Sequence, residues 1–485
     1  MPAKKSPGTK KKRPGSTRTL RPKPSKSRTA SPQFAVVHPD AAGIDIGGRS
    51  HWVAVPPERG AETVREFSAF THSLHEMVDW LKSHNVRTVA MEATGVLWIP
   101  VFEVLETAGL EVYLVNAAHI KNVSGRKSDL LDCQWIQKLH ACGLLQKSFR
   151  PDDKTVVLRS YVRQRSELVR TQAASTQRMQ KALMQMNLQL HLVVSDITGV
   201  TGLSIIKRIL EGERDPMVLA ALRDGRCKRS EAEIAEALRG TWREEHLFAL
   251  RQSLATFEHL ERQIGEVDQQ IHQALAAMDN DPRVDPNTPL DPPPLKVRVA
   301  QKALGFDART LLYQKAGADL TRILGISLLT ALTIVSEIGT DMSRWPTVKH
   351  FASWLGLAPN RRISGGKELS SHTRKTKNRA AQALRMAAST LYRSDTALAA
   401  FYRRKLPKGK PVAITATAHR MARWIYAILK NGSEYAEESL AKEVARNRDR
   451  QLAALKRAAA HLGMSVVPGD IATPSHVQGA SSSHA

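Results

Sequence analysis

Between residues 41 and 142 the spacing of apolar residues alternates between the period of a strand and that of a helix. Short apolar runs at about 42–47, 51–56 and 63–68 predict three strands that follow one another closely, as in an antiparallel meander. The later predicted elements are a helix at 72–84, a strand at 86–91, a helix at 97–108, a strand at 111–115 and a helix from Asp129. The pattern therefore predicts an α/β domain, in which three strands precede alternating strands and helices.

From about residue 152 to 275 the chain is predicted to be helical. Near both ends of this stretch, apolar residues alternate by four and three, which is the spacing of a coiled-coil seam. These residues are Met179, Leu183, Met186 and Leu190 in the first helix, and Leu260, Ile264, Val267 and Ile271 in the second. Two such helices predict either an antiparallel arm or a dimerising stalk. Residues 191–240 between them are predicted to form a small helical insertion.

Residues 279–296 are rich in Pro and Asp and cannot sustain a helix, so we predict a linker there. Beyond it, residues 318–339 predict two helices joined at Leu324-Gly325-Ile326. This helix-hairpin-helix-like element can offer backbone N–H groups to a phosphate. Ser327 stands where such a hairpin usually has a second glycine, and a role in packing alone is equally compatible with the sequence. A last amphipathic helix is predicted at 415–432, so the C-terminal part is mainly α.

The predicted domains are a disordered basic arm (1–38), an α/β domain (39–150), a helical coiled-coil region with an insertion (151–278), a Pro-rich linker (279–298), a mainly α domain (299–432), and a C-terminal helix with a disordered tail (433–485).

The net charge indicates a binding partner, because it is +26 over 485 residues and is unevenly distributed. Residues 1–35 hold eleven Lys and Arg and no acid, and residues 343–410 hold sixteen against two acids. Clustered cations gain affinity for phosphates by releasing counterions, so nucleic acid is the predicted partner. For the N-terminal arm, the alternative is a solubilising tail without further function.

The three cysteines, Cys133, Cys142 and Cys227, lack the spacing of metal ligands and are typical of a reduced, intracellular protein. No apolar run approaches the ~20 residues of a membrane span. No apolar signal core follows the basic N-terminus. We therefore expect a cytoplasmic protein that has no membrane partner.

Four acids of the α/β domain stand at the ends of predicted elements. Asp45 lies in the strand AAGIDIG, Glu92 ends the strand in VRTVAMEATG, and Asp129 and Asp132 begin the helix of KSDLLDCQWIQKL. The i, i+3 spacing puts Asp129 and Asp132 on one helix face. A carboxylate at the end of a buried strand is costly unless a cation meets it, and hard oxygen ligands suit Mg²⁺ or Mn²⁺. The four acids therefore predict one divalent-metal site.

Each acid also has a structural explanation when it is taken alone. GIDIG is similar to the first phosphate loop of actin-like ATPases, Glu92 could cap the following helix, and Asp129 and Asp132 would favour the dipole of their helix. The order D…E…DxxD within about a hundred residues favours a joint site instead. Three strands followed by alternating strands and helices is also the ribonuclease-H-like order, in which the strands of the first two acids are neighbours.

Basic residues surround one serine of the C-terminal domain. Ser364 lies in a glycine-flanked loop, after Arg361 and Arg362 and before Lys367. Arginines beside a serine would hold a phosphodiester and stabilise the charge that is added on attack. Sequence alone seldom identifies such a serine as a nucleophile. The predicted nucleic-acid contacts are Arg361, Arg362, Lys367, Arg374, Lys375 and Lys377.

Taken together, these motifs resemble the DEDD transposases of bacterial insertion sequences known as the IS-one-ten family. The long helical insertion resembles its IS-one-one-one-one branch. The matching stretches are GIDIG, MEATG and KSDLLDCQWIQKL and, far from them, the ILGI hairpin and FASWLGLAPNRRISGG with Ser364. The resemblance spans about residues 41–432.

This resemblance implies a RuvC-like N-terminal domain that binds Mg²⁺ or Mn²⁺ through the four acids, and a C-terminal domain in which Ser364 is the nucleophile. It implies a bridge RNA that pairs with donor and target DNA. The expected activity is cutting and rejoining of double-stranded DNA through a phosphoserine, in the bacterial cytoplasm at the nucleoid. Synapsis of two DNA sites requires a homo-oligomer, a dimer or a tetramer.

Three other classes of protein remain as alternatives. A structure-specific endonuclease would use the acids alone, with water as the nucleophile, and Ser364 would then be dispensable. An actin-like ATPase would need a second phosphate loop and an adenosine loop, and the sequence contains neither. A nucleic-acid-binding scaffold with a dead site is disfavoured because all four acids are present.

Overall fold

The computed structural model describes residues 35–466, apart from residues 94, 117–128, 286, 288, 293, 294 and 395. The chain divides into two compact units, Met1–Phe149 and Arg150–Ala485. Most of the basic arm and the end of the C-terminal tail predicted from the sequence lie outside the described residues. Within the part of the chain that is described, no helix is both long and apolar enough to cross a membrane.

The first unit is built on a five-stranded mixed sheet. Its strands are β1 (Ala41–Ile46), β2 (Ser50–Ala54), β3 (Val64–Ser68), β4 (Thr88–Glu92) and β5 (Glu111–Val115), in the order β3-β2-β1-β4-β5. The first three strands pair antiparallel, whereas β1, β4 and β5 run parallel to one another. These bounds lie within two residues of the predicted ones, and the α/β prediction is confirmed.

Helices cover both faces of this sheet, because alternate residues of the parallel strands are apolar on each side. The helices are α1 (Thr71–Ser83), α2 (Trp98–Thr107) and α3 (Asp129–Ala141). Ile44 and Met91 join the core formed with α1 and α2. Ala90 and Val115 point to the other face, where they pack against Ile136 of α3. The helix α3 therefore packs on the face of Gly43 and Asp45, since these residues alternate with Ile44.

The second unit begins with a long antiparallel helix pair, α4 (Asp153–Gln185) and α9 (Glu244–Ala276). Met179 and Leu183 of α4 pack with Leu254 and Phe257 of α9. Between the pair lie the short helices α5 (Leu190–Val193), α6 (Val200–Leu210), α7 (Pro216–Ala220) and α8 (Glu231–Ala237). One charged pair, Arg165 with Asp268, is buried in the seam of the long helices. The two helices therefore pair with each other within one chain, as expected for an antiparallel arm.

The regular elements described in the C-terminal region are helices and one β-hairpin. Its helices are α10 (Leu295–Leu304), α11 (Ala308–Ala316), α12 (Leu328–Ile338), α13 (Val348–Trp354), α14 (Arg379–Ser389), α15 (Ala397–Lys405), α16 (Lys410–Asn431) and α17 (Ser433–His461). The hairpin consists of β6 (Arg362–Ser364) and β7 (Lys367–Ser370). A largely helical remainder is what the sequence predicted.

Arginines of α4 tie the long helix pair to this C-terminal region. Arg163 forms a bidentate pair with Glu337 of α12, at 2.8 and 2.7 Å. Arg159 donates to the backbone carbonyls of Ser336 and Glu337, at 3.2 and 2.7 Å. Burial lowers the pKa of Arg159 to about 10, and the Glu337 charge opposes that shift. Two basic residues of α4 are therefore engaged inside the unit.

The predicted linker at 279–298 lies inside the second unit and does not separate two units. Its first residues are held by hydrogen bonds, since Lys315 donates to the carbonyl of Met278 at 2.6 Å and to the side chain of Asn280 at 2.7 Å. Arg283 donates to the carbonyl of Leu429 at 3.0 Å. Proline prevents a helix here, but it does not prevent the chain from packing.

The predicted helix-hairpin-helix-like element differs from the expectation on its first side. A single 3-10 turn, Leu320–Arg322, stands where the first helix was predicted, and Asp319 caps that turn. Ser327 accepts a hydrogen bond from the Thr330 amide and caps α12. The serine that replaces the expected glycine is therefore an N-cap residue, which explains its type.

Candidate active site

Two of the predicted acids lie side by side at the carboxyl end of the parallel strands. The β1–β4 register pairs Gly43 with Ala90 and Ile44 with Met91, so that Asp45 and Glu92 follow as the next neighbours. Adjacent strands are about 4.8 Å apart, and residues in register point to the same face. Both acids are half-buried and point to the α3 side. The sheet therefore brings together two carboxylates that are 47 residues apart in the chain.

The backbone of α3 lies directly on β1 at Gly43. A Cβ atom at this position would lie 2.2 Å from the amide nitrogen of Gln137 and 2.5 Å from the carbonyl oxygen of Cys133. Both are backbone atoms of the helix, so only glycine permits this approach. The sequence shows this residue merely as part of GIDIG, and its role at the helix contact was not predicted.

The direction of α3 brings its N-terminal end to the two acids. Gln137 donates to the carbonyl of Ala41 at 3.2 Å, and one turn later His140 lies 2.9 Å from the Thr88 hydroxyl. The C-terminal half of the helix thus lies over the beginning of β1 and β4. Asp132, in the first turn, consequently lies towards their carboxyl ends.

The buried thiol of Cys133 lies near two of these acids. Its pKa is raised to about 12, chiefly by burial and in smaller part by the negative charges of Asp45 and Asp132. Asp45 and Asp132 are thus both near one buried side chain, one from the sheet and one from the helix. The arrangement gathers Asp45, Glu92 and Asp132 at one edge.

Asp129 is the first residue of α3, and its side chain lies outside the described residues. Within the described part of the chain, no three His, Cys, Asp or Glu side chains come close enough together to hold a metal ion. The oxygen donors fit a hard divalent cation in type. The described side chains alone do not form its complete ligand set.

Ser364 ends β6, and the predicted loop is a tight β-hairpin. Ser364 pairs with Lys367 across the two-residue turn Gly365–Gly366, whose φ angles are +55° and +74°. Two positive φ angles in succession are typical of a type I′ turn and favour glycine at both positions. The Ser364 hydroxyl is exposed and makes no hydrogen bond to any described residue. The fold of the second unit thus presents this serine to solvent at the tip of a ribbon.

All six predicted nucleic-acid contacts, in the hairpin and the segment after it, are exposed. Arg362, Lys367, Lys375 and Lys377 are exposed. The remaining two are exposed but engaged, since Arg361 faces Glu368 at 3.9 Å and Arg374 donates to the Ser353 carbonyl at 3.2 Å.

Two apolar side chains of the hairpin are also exposed, Ile363 at 64% and Leu369 at 69%. Neither residue is among the contacts predicted from the sequence. The period-2 pattern of the ribbon is the only hint of them.

Two segments of the chain match known protein families. Residues 42–188 match a DEDD-type family described as "Transposase", and residues 317–403 match a family described as "Transposase IS116/IS110/IS902 family". The first match contains the four acids and the second contains Ser364.

A curated relative agrees with these matches. The "Insertion element IS110 uncharacterized 43.6 kDa protein" of Streptomyces coelicolor is 29% identical over 119 residues, which is 24% of this chain and 29% of the relative. The chain thus spans less than a third of that relative's length. In these two segments, and in this order, the chain is similar to transposases of the IS110 family.

Proposed function

We propose that the protein is a DNA transposase that cuts and rejoins DNA by transesterification at Ser364, assisted by a divalent metal ion at the acids of the first unit. The observation that carries the proposal is the close seating of α3 on β1 at Gly43, because it directs the acidic end of the helix towards Asp45 and Glu92. The strand order supports a ribonuclease-H-like, RuvC-like assignment of this unit. The fold alone would not establish a function, so the inference of function rests on the acids.

Asp45, Glu92, Asp129 and Asp132 would hold Mg²⁺ or Mn²⁺. A bound divalent ion supplies positive charge that offsets the repulsion between the carboxylates and polarises a phosphate. Asp45 and Glu92 are placed by neighbouring strands, which gives them a rigid support. Metal-dependent chemistry is therefore assigned to the first unit.

The hydroxyl of Ser364 would attack a phosphorus atom of DNA. Its proton is transferred to the ester oxygen that leaves, and the broken strand stays joined to the protein through a phosphoserine. Because one phosphate ester replaces another, a DNA hydroxyl can reverse the attack and rejoin the strands without ATP. Arg361, Arg362 and Lys367 would offset the charge that is added to the phosphate.

The shape of the hairpin supports a contact with duplex DNA. A two-stranded ribbon can enter the major groove, and the exposed cations beside it favour the phosphates. Ile363 and Leu369 would then contact the bases near Ser364.

We further propose that a bridge RNA selects the DNA sites. Exposed Lys and Arg contact the backbone and carry little sequence information, so base pairing with a guide would supply the selectivity. Recombination joins two DNA sites, which requires a homo-oligomer, a dimer or a tetramer.

The test is the substitution Ser364→Ala, with Ser371→Ala as a matched exposed serine nearby. The substrate is DNA that carries both ends of the element, with the transcript of its noncoding segment and Mg²⁺. We expect Ser364→Ala to bind nucleic acid normally but to form no covalent protein–DNA adduct on a denaturing gel and no exchanged strands. Ser371→Ala should behave as the wild type.

The acids provide the second arm of the same test. Asp45→Asn should also lose the adduct, while nucleic-acid binding is retained. If Ser364→Ala cleaved DNA at close to the wild-type rate while Asp45→Asn did not, water would be the nucleophile and the protein would be a metal-dependent endonuclease.

A further inference from the structure

A cavity of about 560 Å³ lies between the C-terminal helices of the second unit. The hairpin residues assigned above do not line it. Its walls include His419, Arg420, Arg423 and Trp424 of α16, Phe401 of α15 and Arg446 of α17. Apart from Phe401, these residues lie beyond the segments that match known families. The volume falls in the range of small-molecule sites, which is roughly 300–1,000 Å³.

The cavity combines cationic and aromatic groups. The Arg420 guanidinium lies 4.7 Å from the centroid of the Phe401 ring, and Arg404 and Lys405 approach the same ring at 5.8 and 5.6 Å. Arg423 and Arg446 are exposed and form no ion pair with any described residue. The guanidinium groups can therefore turn towards an anion that enters the cavity.

The positive charge of Arg423 acts on His419 in the wall of the cavity. The pKa of His419 is lowered chiefly by burial and further by the charge of Arg423. An anion bound there would relieve this repulsion. Arginine suits phosphate because its planar fork can make two parallel hydrogen bonds.

The aromatic walls indicate more than a lone phosphate. Trp424 is half-buried in the wall, so part of its ring is accessible from the cavity. Bases stack on such rings irrespective of their identity. We propose that this cavity binds a nucleotide, with its phosphate at Arg423 and Arg446 and its base against Trp424. Two sources share this chemistry, an unstacked nucleotide of a bound strand and a free nucleotide.

Binding of a nucleotide that belongs to a strand rests on the proposed partnership with nucleic acid. Binding of either kind of nucleotide is independent of Ser364 and of the acids. All binding measurements therefore use the full-length Ser364→Ala protein, so that cleavage does not contribute. Loss of the adduct and loss of cavity binding are then separate readouts, and either proposal can fail without the other.

The first measurement is the affinity for a labelled single strand of about ten nucleotides, as a function of salt. Arg423→Gln combined with Arg446→Gln should weaken binding at least tenfold and reduce the salt slope by about 1.4, since two phosphate contacts are lost. Arg448→Gln is the matched control on α17, since Arg448 is exposed but does not line the cavity. It should leave the affinity within about twofold.

The second measurement tests the base contact. Trp424→Leu should weaken binding between about fivefold and 150-fold, whereas Trp424→Phe should retain most of the affinity. With Trp424 in place, an abasic strand should bind more weakly than the intact strand. With Trp424→Leu, the two strands should bind equally. Thermal unfolding of each variant controls for loss of the fold.

Calorimetry with AMP distinguishes the two sources. If the arginine variants weaken strand binding but AMP does not bind, the ligand is a nucleotide of a strand. If AMP binds, and the arginine variants lose AMP binding but keep their affinity for the strand, the ligand is a free nucleotide. Wild-type affinity and salt slope in the arginine variants, together with no AMP binding, would overturn the inference.

Discussion

The substitution Gly43→Ala should perturb the candidate active site through the backbone of α3. The added Cβ would lie 2.2 Å from the Gln137 amide nitrogen and 2.5 Å from the Cys133 carbonyl oxygen, whereas ordinary contact begins at 3.4 Å. Neither atom can rotate away, because both belong to the hydrogen-bonded helix. The helix must therefore move off β1 by about 1 Å, and Asp132 moves with it.

Two magnitudes follow from this displacement. Overpacking of a well-packed contact costs about 1–3 kcal/mol. At roughly 4 °C per kcal/mol, the unfolding temperature of the first unit should fall by about 4–12 °C. A misplacement of about 1 Å in a catalytic group can lower a rate on the order of a hundredfold. Activity should therefore fall more than stability alone explains.

The assay measures adduct formation at a temperature where both proteins are folded, alongside thermal unfolding followed by circular dichroism. Gly48→Ala is the matched control, because a Cβ there meets nothing within 4 Å. It should change neither quantity appreciably. If Gly43→Ala were as stable and as active as Gly48→Ala, the close helix–strand approach would not position the acids.

Other predictions concern buried charges and the basic arm. Burial, reinforced by His38, lowers the pKa of His140 to about 4. Because this folded-state pKa lies below the ordinary value of 6.5, the stability of the first unit should fall by up to about 3 kcal/mol as pH drops from about 6.5 towards 4. His140→Gln should flatten that decline in denaturant titrations. Arg165→Met leaves Asp268 buried without its partner and should cost about 3–5 kcal/mol in urea unfolding. Arg165→Met combined with Asp268→Leu should be nearly neutral, and equal losses in the two variants would mean that the unpaired Asp268 charge is not the cause. Deleting residues 1–35, which carry eleven Lys and Arg, should flatten the salt dependence of nucleic-acid binding, and an unchanged slope would identify the arm as a solubility tail.

The sequence by itself determined where the elements of the first unit begin and end. Apolar period is a local property, since each strand or helix must bury one side of its own surface. The identity of the acids, the exposed basic residues near Ser364 and the largely helical remainder could be read in the same way. These features need no knowledge of which elements touch.

Only the tertiary structure decided which residues meet. Nothing in the spacing of GIDIG shows that Gly43 is the point where a helix backbone lies on the strand, because the contact joins residues about 90 positions apart. Arg159, Arg163 and Arg165 look like a solvated or nucleic-acid-binding face in the sequence, yet they pair with Glu337 and Asp268 inside the unit. A charge has no local preference for its partner, so packing alone selects it. The proline-rich segment likewise reads as a linker, because proline reveals the loss of a helix but not the hydrogen bonds that hold the segment in place.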